Sequence, residues 1–261
     1  MIDVIVTGAA GRMGREVVRA VTAADGMRVT AAVDTSGGGI TIEDGSGGSL
    51  AVSRQLRPAL EGTGTRVLVD FTVPDAVERN VVDALAAGVH CVVGTTGVSE
   101  TRWRDVAKGA PKGVCLFVAP NFAIGAVLMM RFAQTAARYM PYAEVIELHH
   151  DRKLDAPSGT ALRTASLIAA ARAETPSAPG REGEVVAGAR GALVDGVSVH
   201  SVRLPGLVAH QEVIFGGVGQ TLTIRHDSID RASFMPGVVL AVREVVSRRG
   251  LVVGLEELMG L

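Results

Sequence analysis

Through its first half the chain alternates short, nearly continuous apolar runs with segments whose apolar residues recur every three or four positions. The runs Ile2–Thr7, Arg28–Val33, Arg66–Phe71, Val89–Val93 and Val114–Val118 read as strands, and Arg12–Ala24, Pro74–Ala87 and Ser99–Lys108 between them read as helices. Pro74 suits a first helical position, Ser99 an N-cap and Gly88 a helix stop. Strands that are apolar throughout are buried on both faces, and strands alternating with helices pair in parallel. This half is therefore expected to be α/β, a parallel sheet covered on both sides. The Gly- and Ser-rich stretch Thr35–Leu50 reads as a long irregular loop.

The second half has a different rhythm. A helix is expected over about Ala123–Tyr139, a strand over Ala143–Leu148 and a helix over Gly159–Ala173, followed by an exposed loop at Glu174–Arg190. Three strands come next, Val197–Leu204, Ala209–Phe215 and Thr221–His226, with Gly216–Gly219 as a turn. Short connections between successive strands point to an antiparallel or mixed sheet. A last helix, Arg231–Arg248, and an apolar tail close the chain. The change of rhythm places a domain boundary near residue 120.

Composition narrows the partners. The 261 residues carry a net charge of -1 and only 3% are aromatic, which gives neither the basic excess nor the stacking platforms of a nucleic-acid binder. No membrane is expected as a partner: the apolar run from Ala123 stops at Arg131, too short to span a bilayer. The two cysteines, Cys91 and Cys115, lie in separate apolar runs and read as buried thiols of a reducing cytoplasm.

Candidate chemistry begins at "VTGAAGRMGRE", which sets Gly8, Gly11 and Gly14 between the first strand and the first helix. Glycines there let the backbone turn tightly and approach a pyrophosphate, whose charge is favoured by the helix's first N–H groups. Asp34 ends the second strand 20 residues after Gly14, where a carboxylate would accept hydrogen bonds from a ribose diol. Strand, glycines, helix and acid together point to a nicotinamide dinucleotide. Thr35, not a cation, follows Asp34, which favours NADH over NADPH, with Arg12 as partial compensation toward a 2′-phosphate. "DFTVP" (70–74), "GTTG" (94–97) and "APNF" (119–122) follow later strands and offer small residues and hydroxyls to the same ligand.

The densest group of titratable residues is "ELHHDRKLDAPSGTA", 147–161. It reads either as a solvated loop before a capped helix or as a reactive site. Three features favour the second reading. Ser158-Gly159-Thr160 opens a helix whose N–H groups suit a carboxylate. His149 or His150 can exchange a proton near neutral pH. Lys153 is a compact cation that can donate a proton, in a chain whose only other lysines are Lys108 and Lys112. Adjacent histidines without a spaced partner make a poor metal site, so no metal is expected.

These segments, with "HDSIDRASFMPG" at 226–237, resemble the dihydrodipicolinate reductase family of bacterial lysine biosynthesis, and the resemblance runs over essentially the whole chain. It implies NAD(P)H-dependent reduction of 4-hydroxy-tetrahydrodipicolinate, a small dicarboxylate, in the cytoplasm. It implies a Rossmann-type nucleotide-binding domain, 1–120 completed by 236–261, and a mixed α/β domain, 121–235, for substrate binding and homotetramer formation. By the same resemblance His149 and Lys153 are catalytic, and His150, Gly159 and Thr160 bind substrate. The cofactor would contact Gly8, Ala9, Ala10, Gly11, Arg12 and Met13, then Asp34 and Phe71, then Gly94, Thr95 and Thr96, and finally Pro120, Asn121 and Phe122.

Three other readings compete. A semialdehyde or homoserine dehydrogenase shares the two-domain plan, but the semialdehyde enzymes need an activated cysteine, which neither apolar run offers. A nicotinamide-sensing binding protein would keep the glycine loop without the charged motif's chemistry. A DNA-binding regulator would carry a basic patch, and the sequence has none.

Overall fold

The computed structural model describes every residue except 38, 63, 65 and 175–183. The described chain divides into two compact units, Met1–Phe122 with Phe234–Leu261, and Ala123–Ser233. In chain order the first unit holds β1 (Ile2–Thr7), α1 (Arg12–Ala23), β2 (Met27–Val33), β3 (Thr41–Glu43), β4 (Ser49–Ser53), β5 (Arg66–Asp70), α2 (Pro74–Ala86), β6 (His90–Val93), α3 (Glu100–Lys108) and β7 (Cys115–Val118). The second unit holds α4 (Ile124–Ala136), β8 (Tyr142–His149), α5 (Gly159–Ala171), β9 (Ala192–Val194), β10 (Val197–Arg203), β11 (Ala209–Gly217) and β12 (Gln220–Ser228). The chain then rejoins the first unit with α6 (Met235–Val245), β13 (Gly250–Val253) and α7 (Leu255–Met259).

The first unit's strands form one sheet in the order β13-β7-β6-β5-β1-β2-β4-β3. All neighbours are parallel except β3 and β4. On one face Ile5, Leu68, Cys91 and Leu116 pack with Val81 and Leu85 of α2 and Trp103 of α3. The alternate positions Val4, Val6, Val69, Val92 and Phe117 are also fully buried. Helix α6 contacts β5, β6 and β7 and packs on α1, which contacts β1 and β2. The sheet is thus doubly covered, as its unbroken apolar strands require, and each fully buried Val or Leu stabilises it by about 1.5–3 kcal/mol. Strand order reverses around β1, since β2 lies on one side of it and β5 on the other. Crevices for ligands open at such reversals, outside the carboxyl ends of the strands.

In the second unit five strands form a mixed sheet, β12-β11-β8-β10-β9. Only β8 and β10 pair in parallel. Helices α4 and α5 cover one face, where Val145, Glu147, Val199, Val213 and Phe215 are buried. The other face carries Ile146, Leu148 and Ile214 between charged neighbours and has no helix over it among the described residues.

Two expectations need correction. Thr35–Leu50 is not one irregular loop: it contains β3 and the start of β4, which pair as a hairpin. Asp44 Oδ1 shapes the turn by accepting from the N–H groups of Ser46 and Gly48, at 2.8 and 3.0 Å. Its apolar anchors, Ile42 and Val52, are too few to stand out against the glycines and serines around them. The last helix does not run unbroken from Arg231, because a 3-10 turn over Arg231–Phe234 precedes α6, which starts anew with Pro236 in its first turn. The apolar tail is ordered, β13 pairing with β7 at the sheet's edge and α7 following it. Positions 175–183 of the expected loop at Glu174–Arg190 lie outside the described residues.

Candidate active site

Two sites can be built, one in each unit. The first lies along the carboxyl edge of the parallel sheet. Gly8 leaves β1 with φ +73, and a Cβ there would stand 2.6 Å from the Phe71 carbonyl oxygen. A Cβ on Gly14 would stand 2.0 Å from the Gly8 carbonyl oxygen, so α1 can close on the loop only with glycine there. Gly11 caps α1 without a side-chain bond, and no acid sits in the first turn. Its leading N–H groups are therefore unclaimed by side chains, which suits a pyrophosphate.

Asp34 stands at the end of β2. Its Oδ2 accepts from the Ala10 N–H at 3.1 Å, and its Oδ1 from the Ser36 N–H and hydroxyl at 2.9 and 2.6 Å. Partial burial works against its charge, yet these donors hold the carboxyl below its usual range. Thr7, Gly8, Gly11, Asp34 and Phe71 line one cavity of about 820 Å³. The glycine cradle and the ionised acid fit a dinucleotide.

Other expected contacts lie further along the same edge. Gly94, Thr95 and Thr96 follow β6, and Pro120, Asn121 and Phe122 follow β7. The Phe71 ring lies against Gly94, where a Cβ would come within 2.1 Å of it. Phe122 is only 3% exposed and lies between Phe71 and Phe117, tilted to the first and edge-on to the second, at centroid distances of 5.6 and 5.9 Å. Its ring therefore braces Phe71 from within the core. Ala9 is likewise fully buried, whereas Gly11 and Arg12 are exposed.

Sequence reasoning expected the hydroxyls of "DFTVP" and "GTTG" to face a ligand. Those of Thr72 and Thr95 instead donate to Asp70 Oδ1, at 2.7 and 2.9 Å. Asp70 Oδ2 accepts from the Thr7 hydroxyl at 2.7 Å and the Asn80 amide at 2.9 Å. The Thr72 N–H adds a further bond at 2.9 Å. This fully buried carboxylate ties together the ends of β1, β5 and β6 and the helix α2. Its position inside "DFT" is visible in the sequence, but its partners are scattered from 7 to 95.

The second site is the end of β8, the middle strand of the mixed sheet. Residues two apart on a strand share a face, so Glu147 and His149 both point toward the helices. Glu147 is fully buried and its Oε2 bonds His149 Nδ1. Arg203, the register partner of His149 on β10, places Nη1 and Nη2 on the two Glu147 oxygens, each at 2.8 Å. The Ser158 N–H donates to Glu147 Oε1 at 3.2 Å, and the Ser158 hydroxyl caps α5 by accepting from the Ala161 N–H at 3.2 Å. Burial alone would raise the Glu147 carboxyl, but the bonds from His149 and Arg203 outweigh it and bring it down to about 2. An ionised carboxylate only accepts, so His149 Nδ1 carries the proton of that bond and Nε2 is left for exchange.

The rest of the motif surrounds this pair. His150 has a buried Nδ1 without a protein partner, and burial, with the charges of Arg152 and His149, holds the ring below its ordinary value. Lys153 Nζ bonds both oxygens of Asp155 at 2.8 Å. A Cβ on Gly159 would meet nothing within 4 Å, so the space in front of that helix start is open. Thr160 is in the same first turn. Arg203 was invisible to sequence reasoning because it lies 54 positions from His149 and meets it only through strand pairing. Glu147 carried a readable signal, an acid two residues before a histidine on an apolar strand.

Comparison with known proteins decides the family. Residues 2–122 match the family described as dihydrodipicolinate reductase, N-terminus, and residues 125–259 match dihydrodipicolinate reductase, C-terminus. The chain belongs to the dihydrodipicolinate reductase family. It is 51% identical over 260 residues to the 4-hydroxy-tetrahydrodipicolinate reductase of Syntrophomonas wolfei, with 98% of each chain covered. It is 52% identical over 258 residues to that of Mycolicibacterium vanbaalenii, again with 98% of each covered. Among solved structures it is similar to the dipicolinate-bound dihydrodipicolinate reductase from Paenisporosarcina sp. TG-14, with TM-score 0.81, 40% identity and 98% and 99% of the two chains covered. A likeness to aspartate semialdehyde dehydrogenase II from Vibrio cholerae, at 11% identity and TM-score 0.55, is one of fold alone. Neither cysteine is an activated thiol: burial pushes Cys91 well above its ordinary value and Cys115 up to about 11.

Proposed function

We propose that the end of β8 and the start of α5 are the active site for the family's reaction. That reaction is the NAD(P)H-dependent reduction of 4-hydroxy-tetrahydrodipicolinate to tetrahydrodipicolinate in lysine and diaminopimelate biosynthesis. The observation that carries the assignment is the Glu147–His149 pair, a buried ionised acid fixing one histidine nitrogen and presenting the other.

The glycine loop from Gly8 to Met13 would hold the cofactor's pyrophosphate, Asp34 its adenosine ribose, and Phe71 with Gly94–Thr96 and Pro120–Phe122 the nicotinamide end. Loss of the 4-hydroxyl as water, with a proton from the adjacent ring carbon, leaves a conjugated imine, and the reduced nicotinamide held there would supply the hydride to its C4. The chain's own residues do the rest. The N–H groups at Gly159 and Thr160, at the positive end of α5, receive a substrate carboxylate in the open space before Gly159. His150 lines the same pocket as a neutral ring. Lys153 exchanges Asp155 for the second carboxylate. The ring carbon left electron-rich by hydride addition must gain a proton, and the Lys153 ammonium delivers it, while His149 Nε2 serves as the acid or base beside it.

The test is absorbance loss of NADH and of NADPH with freshly generated 4-hydroxy-tetrahydrodipicolinate. No loss, with a control enzyme working, overturns the function. Lys153→Ala is expected to lower kcat about 10²-fold; an unchanged kcat with a raised KM would make Lys153 an anchor only.

The chain is further proposed to assemble as a cytoplasmic homotetramer through the open face of the mixed sheet. Ile146, Leu148 and Ile214 stand there among paired charges such as Arg225 with Glu212 at 3.0 Å. Buried reduced thiols and a nicotinamide cofactor favour the cytoplasm. No helix among the described residues is long and apolar enough to cross a membrane. Sedimentation should give four times the 27.0 kDa chain mass, and a monomer would overturn the assembly.

A further inference from the structure

Along the sequence no cation adjoins Asp34, because Thr35 follows it. One stands beside it across the sheet. Strands β2 and β4 run in parallel with Ala32 opposite Val52 and Val33 opposite Ser53. The Asp34 N–H donates to the Ser53 carbonyl at 2.9 Å, which carries the pairing to the very end of both strands. The next residue on β2 is Asp34 and the next on β4 is Arg54, so the two leave the sheet side by side, on strands about 4.8 Å apart. Both line the cavity that holds Gly8 and Gly11.

Among the described residues the Arg54 guanidinium has no hydrogen-bond or ion-pair partner, in contrast to Arg57, which lies 3.9 Å from Asp83. Arg12, the candidate from sequence, is not on the cavity wall. Arg79 is on the wall, but it belongs to α2, which follows β5 on the opposite side of β1 from Asp34.

We propose that Arg54 binds the 2′-phosphate of NADPH, while Asp34 serves the ribose diol of NADH. This rests on the reading of the cavity as the cofactor's adenosine site. An ionised Asp34 repels a 2′-phosphate, so NADPH enters only if a cation beside that acid offsets it. A guanidinium does this with a planar fork matched to phosphate oxygens. An arginine near the ribose acid is the general means by which such sheets accommodate the extra phosphate. Here it arrives from the neighbouring strand, and the chain is equipped for both cofactors.

The test is calorimetric titration of the wild type, Arg54→Ala and Arg79→Ala with NADPH, NADH, 2′,5′-ADP and 5′-ADP at fixed ionic strength. Arg54→Ala is expected to weaken NADPH and 2′,5′-ADP about tenfold while NADH and 5′-ADP stay within about twofold. Arg79→Ala should leave the ratio between the two pairs unchanged. Equal losses for all four ligands, no loss for NADPH, or a selective loss confined to Arg79→Ala would each overturn the assignment. If the wild type binds none of the four, the reading of the cavity as a nucleotide site falls, and the role of Arg54 with it. If the wild type binds all four and Arg54→Ala changes nothing, only the role of Arg54 falls.

Discussion

Each unit has a fully buried carboxylate near the carboxyl end of a strand within its sheet, and the two are solvated by the protein in different ways. Asp70 is surrounded by neutral donors: three hydroxyls, one amide and one backbone N–H. Glu147 is matched by an arginine fork, a histidine ring and the N–H that opens α5. Neutral donors fix positions but offer no proton to trade near pH 7. Asp70 therefore serves as scaffold, holding the ends of three parallel strands so that the glycine loop and the Phe71–Gly94 contact keep their places. Glu147 is bonded to a histidine, and its fixed charge sets which nitrogen of His149 carries the proton and which is left open. Burial is common to both, and the charge of the partners separates a structural centre from the one proposed to react.

The sharpest way to break this distinction is Glu147→Gln. The amide is neutral and can present N–H as well as oxygen, so it no longer enforces a proton on His149 Nδ1 and leaves Arg203 unbalanced. We expect kcat to fall by about 10²-fold or more, and stability by about 3–5 kcal/mol because a buried charge loses its partner. Activity near wild type would show that His149 needs no fixed tautomer.

The same residue predicts an acid limb. A carboxyl lowered from an ordinary 4.5 to about 2 contributes stability that is fully present above pH 4.5 and lost as the pH falls toward 2. The wild type should lose about 3 kcal/mol across that window, from the size of the shift. Urea midpoints from pH 6 to pH 2 for wild type and Glu147→Gln would check it, since the variant should lack this slope.

Asp70→Asn should act on stability and cofactor affinity instead of turnover. An amide can replace only part of the acceptor set, leaving buried donors unpaired at about 1–3 kcal/mol. KM for NADH should rise several-fold with kcat little changed, whereas a large kcat loss with intact cofactor binding would erase the contrast with Glu147. The smallest effect is expected at Asp155. Replacing it by Asn removes the carboxylate that Lys153 holds in the free chain. KM for the dicarboxylate should fall about two- to threefold, consistent with the modest worth of an exposed ion pair. An increase would mean that Asp155 orients Lys153 for the substrate.

Legibility followed sequence distance. The glycine loop and the start of α5 could be read because their local partners are near neighbours: Gly11 bonds Gly8, and Ser158 caps its own helix. The hairpin of β3 and β4 was missed because its pairing partner, β2, lies outside the window in which periodicity is judged. The direction of the Thr72 and Thr95 hydroxyls was misread for a similar reason. Composition identifies a hydroxyl near a ligand but not the buried acid that claims it first.

By itself the sequence determined most of the elements, the parallel character of the first sheet, the family and the segment where the proposed chemistry is concentrated. These depend on spacing along one chain, set by helix and strand periods and by glycine's freedom at turns. Tertiary structure decided which distant groups complete the centres: Arg203 beside His149, the donors around Asp70 and Arg54 beside Asp34. Each of these is a lateral neighbour across a strand pair or along a sheet edge, and register between strands is settled by the packing of whole faces.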